Sequence, residues 1–271
     1  MNYNHIILTR FNLQYDKDSR IHIDSQWLDE RFRLFEAYCL PSIIGQTATN
    51  FTWVILCSDQ TPDVYKDRLT NYTLSYKNID IHFCPFYEDI NQLYYSIGLH
   101  YSVGYSHLLS TRVDNDDMLA FDFVETLQSY INPLTKEHTI FSFTNGIQWF
   151  EEKDIALTSS FKKNHFLSFY EPVEKIRTCI GINHTEVPDN LLVTLEEKGM
   201  WCEIVHRHNM CNSYVPKYRY RLSIPTTKHY PILLNNASTI AQCKLLISEH
   251  LSFRIRQICR FIVRLLRDHT S

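Results

Sequence analysis

Apolar residues in this chain follow two rhythms, and the rhythms alternate. His5-Ile6-Ile7-Leu8, Phe51-Thr52-Trp53-Val54-Ile55-Leu56, Ile79-Asp80-Ile81-His82-Phe83 and His107-Leu108-Leu109-Ser110-Thr111 are short, nearly continuous apolar runs, the pattern of strands buried on both faces. Between the first two, Trp27, Leu28, Arg31, Phe32, Leu34, Phe35 and Tyr38 recur at near-helical spacing, with Asp24 or Ser25 placed as N-cap. Pro41 should end or kink that helix before Ser42-Ile43-Ile44. Pro62 opens a short second helix, and residues 91–104 read as a third. The order β-α-β-α-β-α-β predicts an α/β fold built on a mostly parallel sheet with helices on both faces. A helix over 121–131, closed by Pro133, follows, and then Thr139–Phe143, Gly146–Phe150 and Ile155–Thr158. These last runs are short and separated by turns, so the second half is expected to be mixed and partly antiparallel.

The end of the chain differs. From Ile240 to Asp268, Leu245, Leu246, Leu251, Ile255, Ile258, Ile262, Leu265 and Leu266 interleave with Lys244, Arg254, Arg256, Arg260, Arg264 and Arg267. Two readings fit: a basic amphipathic helix lying on a membrane surface, or a helix docked on its own domain with arginines in solvent. The expected organisation is one large domain over 1–235, divided into a nucleotide-binding half (1–118) and an acceptor half (119–235), with 236–271 as a helical appendage.

Composition narrows the class. A chain of 271 residues with 17 Tyr, 16 Phe and 6 Gly is globular. A net charge of −3 gives no global pull toward nucleic acid or an anionic membrane. The eight cysteines are scattered without a Cys-x-x-Cys pair, several inside apolar runs, so buried reduced thiols and a reducing cytoplasm are expected. No cleavable signal pattern opens the sequence, and no apolar stretch approaches the roughly 20 residues that span a bilayer.

The chemistry concentrates at Thr111-Arg112-Val113-Asp114-Asn115-Asp116-Asp117. The acids follow a buried strand, at the end where open α/β sheets bind ligands. Carboxylates this close repel unless a cation is shared, and hard oxygens suit Mg2+ or Mn2+ carried with a diphosphate. The bland alternative is an acidic turn capping the next helix. Arg10 and Asp59, on neighbouring strand ends, are candidates for holding a nucleoside, with Thr9 beside them; a surface ion pair is the competing reading. Arg112 is placed either to contact phosphate or to pair with an acid. Lys217, Arg219 and Arg221 form a basic run that would close over a diphosphate or line a strand edge.

Thr9-Arg10-Phe11-Asn12, Leu40-Pro41-Ser42-Ile43 with Gln46, Asn50-Phe51-x-Trp53, Asp59-x-Thr61-Pro62, the acidic motif, Glu171, Trp201 and His206-x-x-Asn209 together resemble the bacterial rhamnosyltransferase family, over roughly residues 4 to 215. The resemblance implies a GT-A-like (Rossmann-like) glycosyltransferase, a nucleotide-diphospho-sugar donor and a divalent metal. It implies that Asp114 orients the donor and Asp116 binds the ion, with His206 as a further metal ligand; Asp117 is expected as a supporting acid or a helix cap. A zinc site from His206, His208 and Cys211 lacks the usual four-ligand spacing. Glu171, ending the apolar run from Phe166, is where the resemblance puts the catalytic base, with Glu151, Glu152 and Asp189 as rivals. The implied acceptor is a surface glycan or lipid-linked glycan, with the enzyme cytoplasmic and peripheral on the inner face of the membrane. A sugar-phosphate nucleotidyltransferase is the first alternative, but the loop from Thr9 to Ser25 has no glycine to cradle a triphosphate. A non-catalytic membrane-associated glycan-binding or scaffold protein is the second.

Overall fold

A computed structural model describes residues 2–209, 214, 220, 230, 231 and 238–268, with side chains of the last helix as far as 262. The strands are β1 (Tyr3–Arg10), β2 (Thr52–Ser58), β3 (Ile79–Cys84), β4 (His107–Arg112), β5 (Met118–Leu119), β6 (Thr139–Phe143), β7 (Asn145–Phe150), β8 (Ile155–Ser160), β9 (Ser168–Pro172), β10 (Leu192–Leu195) and β11 (Trp201–Val205). The helices are α1 (Ser25–Leu34), α2 (Leu40–Ile44), α3 (Asp63–Ser75), α4 (Ile90–His100), α5 (Phe123–Ser129) and α6 (Thr239–Asp268).

Seven strands form the main sheet in the order β10-β6-β9-β4-β1-β2-β3. Within it β9 alone runs antiparallel to its neighbours, so the mostly parallel α/β sheet expected from the buried runs is what forms. The central strands carry almost no exposed side chain, because Ile6, Leu8, Val54, Leu56 and Leu108 pack on one face while Ile7, Trp53, Ile55 and Leu109 pack on the other. The second half adds a sheet in the order β5-β11-β7-β8, with β11 parallel to β7 and the other pairs antiparallel. Its backbone meets the main core closely: a Cβ on Gly146 would come within 2.0 Å of the Trp201 ring, so only glycine fits under that indole.

Pro41 does not end the first helix. Asp24 caps α1 by accepting the Trp27 N–H at 2.9 Å, and the chain then widens through Phe35–Cys39, where the Leu40 N–H bonds the Phe35 carbonyl five residues back. A proline in a helix clashes with the carbonyl four residues before it; the wide turn shifts that carbonyl, and α2 continues through Pro41 to Ile44. Cys39, Cys57, Cys84, Cys179, Cys202, Cys243 and Cys259 are all unbridged; Cys211 lies outside the described residues. No helix among the described residues is long and apolar enough to cross a membrane.

Candidate functional site

Strand order reverses between β4 and β1, the position where open α/β sheets bind ligands beyond the carboxyl ends of their strands. β1 ends there on Arg10 and β4 on Arg112, and the register pairs Leu8 with Arg112. Both guanidiniums reach the first acid of the following loop. Arg112 grips Asp114 bidentately, at 3.0 Å through Nε and 2.7 Å through Nη2, and Arg10 approaches it at 3.5 Å. Burial alone would raise the Asp114 pKa, but Arg112 and Arg10 outweigh it and hold the carboxyl well below the usual carboxylate range.

The loops of this rim are stitched to each other. Asn12 donates to Thr61 Oγ1 at 2.8 Å and to the His22 carbonyl at 2.9 Å. Asn115 donates to the Phe11 carbonyl at 2.7 Å, and Gln46 donates to the Ala120 carbonyl at 2.7 Å. These bonds fix the loop after β4 against the loops after β1 and β2, a rigid mount for the acids.

Each remaining acid has a histidine. Asp116 Oδ2 lies 3.0 Å from His206 Nε2, accepts from Arg31 Nη1 at 2.8 Å and is approached by Asn209 at 3.5 Å. Asp117 Oδ2 lies 2.8 Å from His165 Nε2, and its Oδ1 accepts the Ile204 N–H at 2.9 Å. Burial, reinforced by Asp116 and Asp114, pushes the Asp117 carboxyl far above its ordinary value, and burial lowers the His165 pKa. Burial thus disfavours the charged form of both members of that contact. Three arginines, Arg10, Arg112 and Arg31, converge on this rim, and their positive charge suits an anionic ligand. Beneath it, Glu203 accepts from Gln148 at 2.7 Å; burial raises its pKa to about 7, with His165 opposing and Asp117 adding to the rise.

Two His–Asp pairs at 2.8 and 3.0 Å have the separation of adjacent ligands in a site with metal bonds of about 2.1 Å. Asp114, Asp117 and His165 offer ligand atoms within 4.8 Å of one another, and a cation there would favour the charged form of Asp117 that burial disfavours. The donor set fits a hard divalent ion. The expected Asp116–His206 pair is also in contact, at 3.0 Å, with Arg31 on the shared Asp116 oxygen much as Arg112 sits on both oxygens of Asp114.

Other expected residues go elsewhere. Thr9 is buried and accepts the Trp53 indole N–H at 2.9 Å, so its hydroxyl braces β1 on β2 and does not face the rim. Asp59 is exposed past β2 and takes no part in an Arg10 pair, since Arg10 turns to Asp114. Asp117 does not cap a helix, because α5 begins only at Phe123. Glu171 is the largest displacement. β9 is antiparallel, so Glu171 pairs with Leu108 near the start of β4, roughly 20 Å along the strand from the acids at about 3.3 Å per residue. There its carboxylate accepts the N–H groups of Arg177 and Thr178 at 3.2 and 2.9 Å. Among its rivals, Glu151 pairs with Arg33 at 2.7 Å, Glu152 accepts the Arg207 N–H at 2.7 Å, and Asp189 pairs with Lys163 at 2.9 Å. Lys217, Arg219 and Arg221 lie outside the described residues.

Arg31, His165 and Glu203 received no functional role from the sequence. Arg31 had a visible signal: a cation inside the apolar stripe of α1, flanked by Leu28 and Phe32. Glu203 likewise stands as an acid inside the apolar run from Trp201 to Val205, whereas His165 only precedes one and carries no signal of its own.

Several solved structures share a remote likeness. TarS 1–349 from S. aureus matches at 10% identity and a TM-score of 0.39, over 75% of this chain and 60% of that one. Its complex with UDP matches at 11% identity and a TM-score of 0.39, over 76% and 61%. A protein from Desulfovibrio desulfuricans G20 described as a "putative nucleotide-diphospho-sugar transferase" matches at 8% identity and a TM-score of 0.36, over 74% and 80%. These likenesses are too distant to assign a substrate. No curated protein matches the chain. Residues 6–218, most of the chain, match the model of the family described as "Putative rhamnosyl transferase", and the chain belongs to that family.

Proposed function

We propose that this chain is a metal-dependent glycosyltransferase that moves a sugar, rhamnose by the family's name, from a nucleotide-diphospho-sugar to a glycan or lipid-linked glycan acceptor. The observation that carries the reading is the convergence of Arg10 and Arg112 on Asp114 where strand order reverses. Departure of a nucleoside diphosphate builds negative charge on the β-phosphate, and pre-placed cations there act mainly in the transition state. Arg10 and Arg112 exchange part of their hold on Asp114 for the diphosphate, while Asp114 orients the donor's hydroxyls. Asp114, Asp117 and His165 would hold a Mn2+ or Mg2+ ion. When bound, that ion supplies further charge stabilisation at the departing diphosphate. Arg31 fixes Asp116 and, through it, His206.

The base takes the acceptor hydroxyl proton, and Glu203 is the carboxyl assigned to it in place of Glu171. A carboxyl raised to about 7 is matched to proton transfer near neutral pH, and Gln148 fixes its orientation with the Tyr220 hydroxyl behind it at 2.8 Å. The reading is tested by measuring nucleoside diphosphate release from a panel of nucleotide-sugars with and without Mn2+. Wild type should release it only with metal and acceptor present, and Glu203→Gln should lose turnover while keeping donor affinity. Near-normal turnover of Glu203→Gln would return the base to Glu152, and no release from any donor would sink the transferase reading. Parallel Mn2+ titrations of Asp116→Asn and Asp117→Asn place the ion: loss confined to Asp116→Asn would move it to the Asp116–His206 pair.

A further inference from the structure

α6 has two opposite faces, and only one is used. Gln242, Leu245, Leu246, Glu249 and Phe253 turn inward: Gln242 donates to the Ala156 carbonyl at 3.4 Å, Leu245 is buried against Phe150 and Leu157, and Glu249 pairs with Lys153. On the reverse side Ile247, Leu251, Ile255, Ile258 and Ile262, spaced by three and four residues, are between 47% and 69% exposed. A continuous apolar stripe of that size is not left in water without a partner.

We propose that this stripe docks the chain on an anionic phospholipid surface. Charge complementarity selects the occupant. Positions 250–267 hold Arg254, Arg256, Arg260, Arg264 and Arg267 and no acid, in a chain whose overall charge is −3. An acidic protein is repelled by an anionic bilayer unless a cationic element meets it, and along this helix Arg254 flanks the apolar stripe while Arg256 and Arg260 lie toward its inward side at about 100° per residue. Apolar side chains would enter the headgroup boundary with Arg254 reaching phosphates, and the excess positive charge of the helix would draw it to the surface. At about 1.5 Å per residue the helix is roughly 45 Å long, far longer than the part that rests on β8. Its inward face also borders a cavity of about 340 Å³ through Glu249 and Arg256, shared with Glu152, His206, Arg207 and Asn209. Docking would therefore hold that cavity, which adjoins the acid site, one helix diameter, about 10 Å, from the membrane surface. The docking stands whatever reaction the domain performs.

The test is flotation of the full chain with vesicles of phosphatidylcholine, with and without phosphatidylglycerol, at low and high salt. The chain should float only with phosphatidylglycerol and less at high salt. Leu251→Glu/Ile255→Glu/Ile258→Glu should reduce binding at least about tenfold, and Arg254→Glu/Arg260→Glu by a similar factor at low salt, with thermal melting unchanged in both. Wild type that stays unbound, or a triple variant that floats like wild type, would overturn the proposal. So would a wild-type dimer in sedimentation that the triple variant dissociates, which would give the face to a second copy.

Discussion

The two ends of the main sheet both bury carboxylates, and they neutralise them by different means. At the amino end of β4, Glu171 is held by two backbone N–H groups. These donors belong to the turn that carries Thr178 at φ 66°, a left-handed conformation unfavourable for a β-branched residue. Backbone donors cannot leave without unmaking the turn, so the acid is a structural clamp on a strained segment. At the carboxyl end, Asp114 and Asp116 are held by the side chains of Arg10, Arg112 and Arg31. Side-chain cations can swing to an incoming phosphate. A buried acid tied by amides reads as architecture; one tied by arginines is an exchangeable charge.

The comparison predicts a graded set of outcomes. Arg31→Met should have the largest effect, a loss of about 3–5 kcal/mol in denaturant unfolding, because it strips a buried charge from Asp116. A loss under about 1 kcal/mol would mean that His206 alone satisfies that acid. Asp114→Asn should lower kcat about 10²–10³-fold with little change in melting temperature; equal damage to stability would make the rim as structural as the opposite end. Glu203 should tie stability to pH. Its folded pKa of about 7 lies above the ordinary glutamate value, so its contribution is fully present below about pH 4.3 and lost as pH rises through about 7, on the order of 3 kcal/mol in all. Glu203→Gln should flatten that part of the profile, and an unchanged slope would remove Glu203 as its source. Glu171→Leu should cost about 1–3 kcal/mol by leaving two amides unpaired while donor affinity stays normal. A loss of donor affinity at unchanged stability would return Glu171 to the reaction.

The sequence carried one end of this comparison well and misread the other. Apolar runs marked β1, β2, β3 and β4, and their ends placed Arg10, Arg112 and the acids on one rim, because parallel strands share a direction. The run before Glu171 marked a strand just as clearly, but an apolar run does not state which way its strand points. Reversing β9 moves Glu171 from the rim to the far end. The partners of Arg31, His165 and Glu203 were hidden for a related reason: Asp116, Asp117 and Gln148 are 85, 48 and 55 residues away, and local periodicity reports burial without naming what lies opposite.

The wide turn at Phe35–Cys39 sets a limit on how this chain can change length. It separates two stretches of helix that touch the same acidic segment: Arg31 before it bonds Asp116, while Ser42 and Gln46 after it bond the segment from Leu119 to Val124. Such a turn is equivalent to one residue inserted into an α-helix. Deleting a residue there would restore regular winding and rotate Arg31 by about 100° relative to Ser42, at 3.6 residues per turn. The local helix would improve while Arg31 swung off the acids. Loops elsewhere on the surface can gain or lose residues freely, but here a single deletion acts like a gear slipping one tooth.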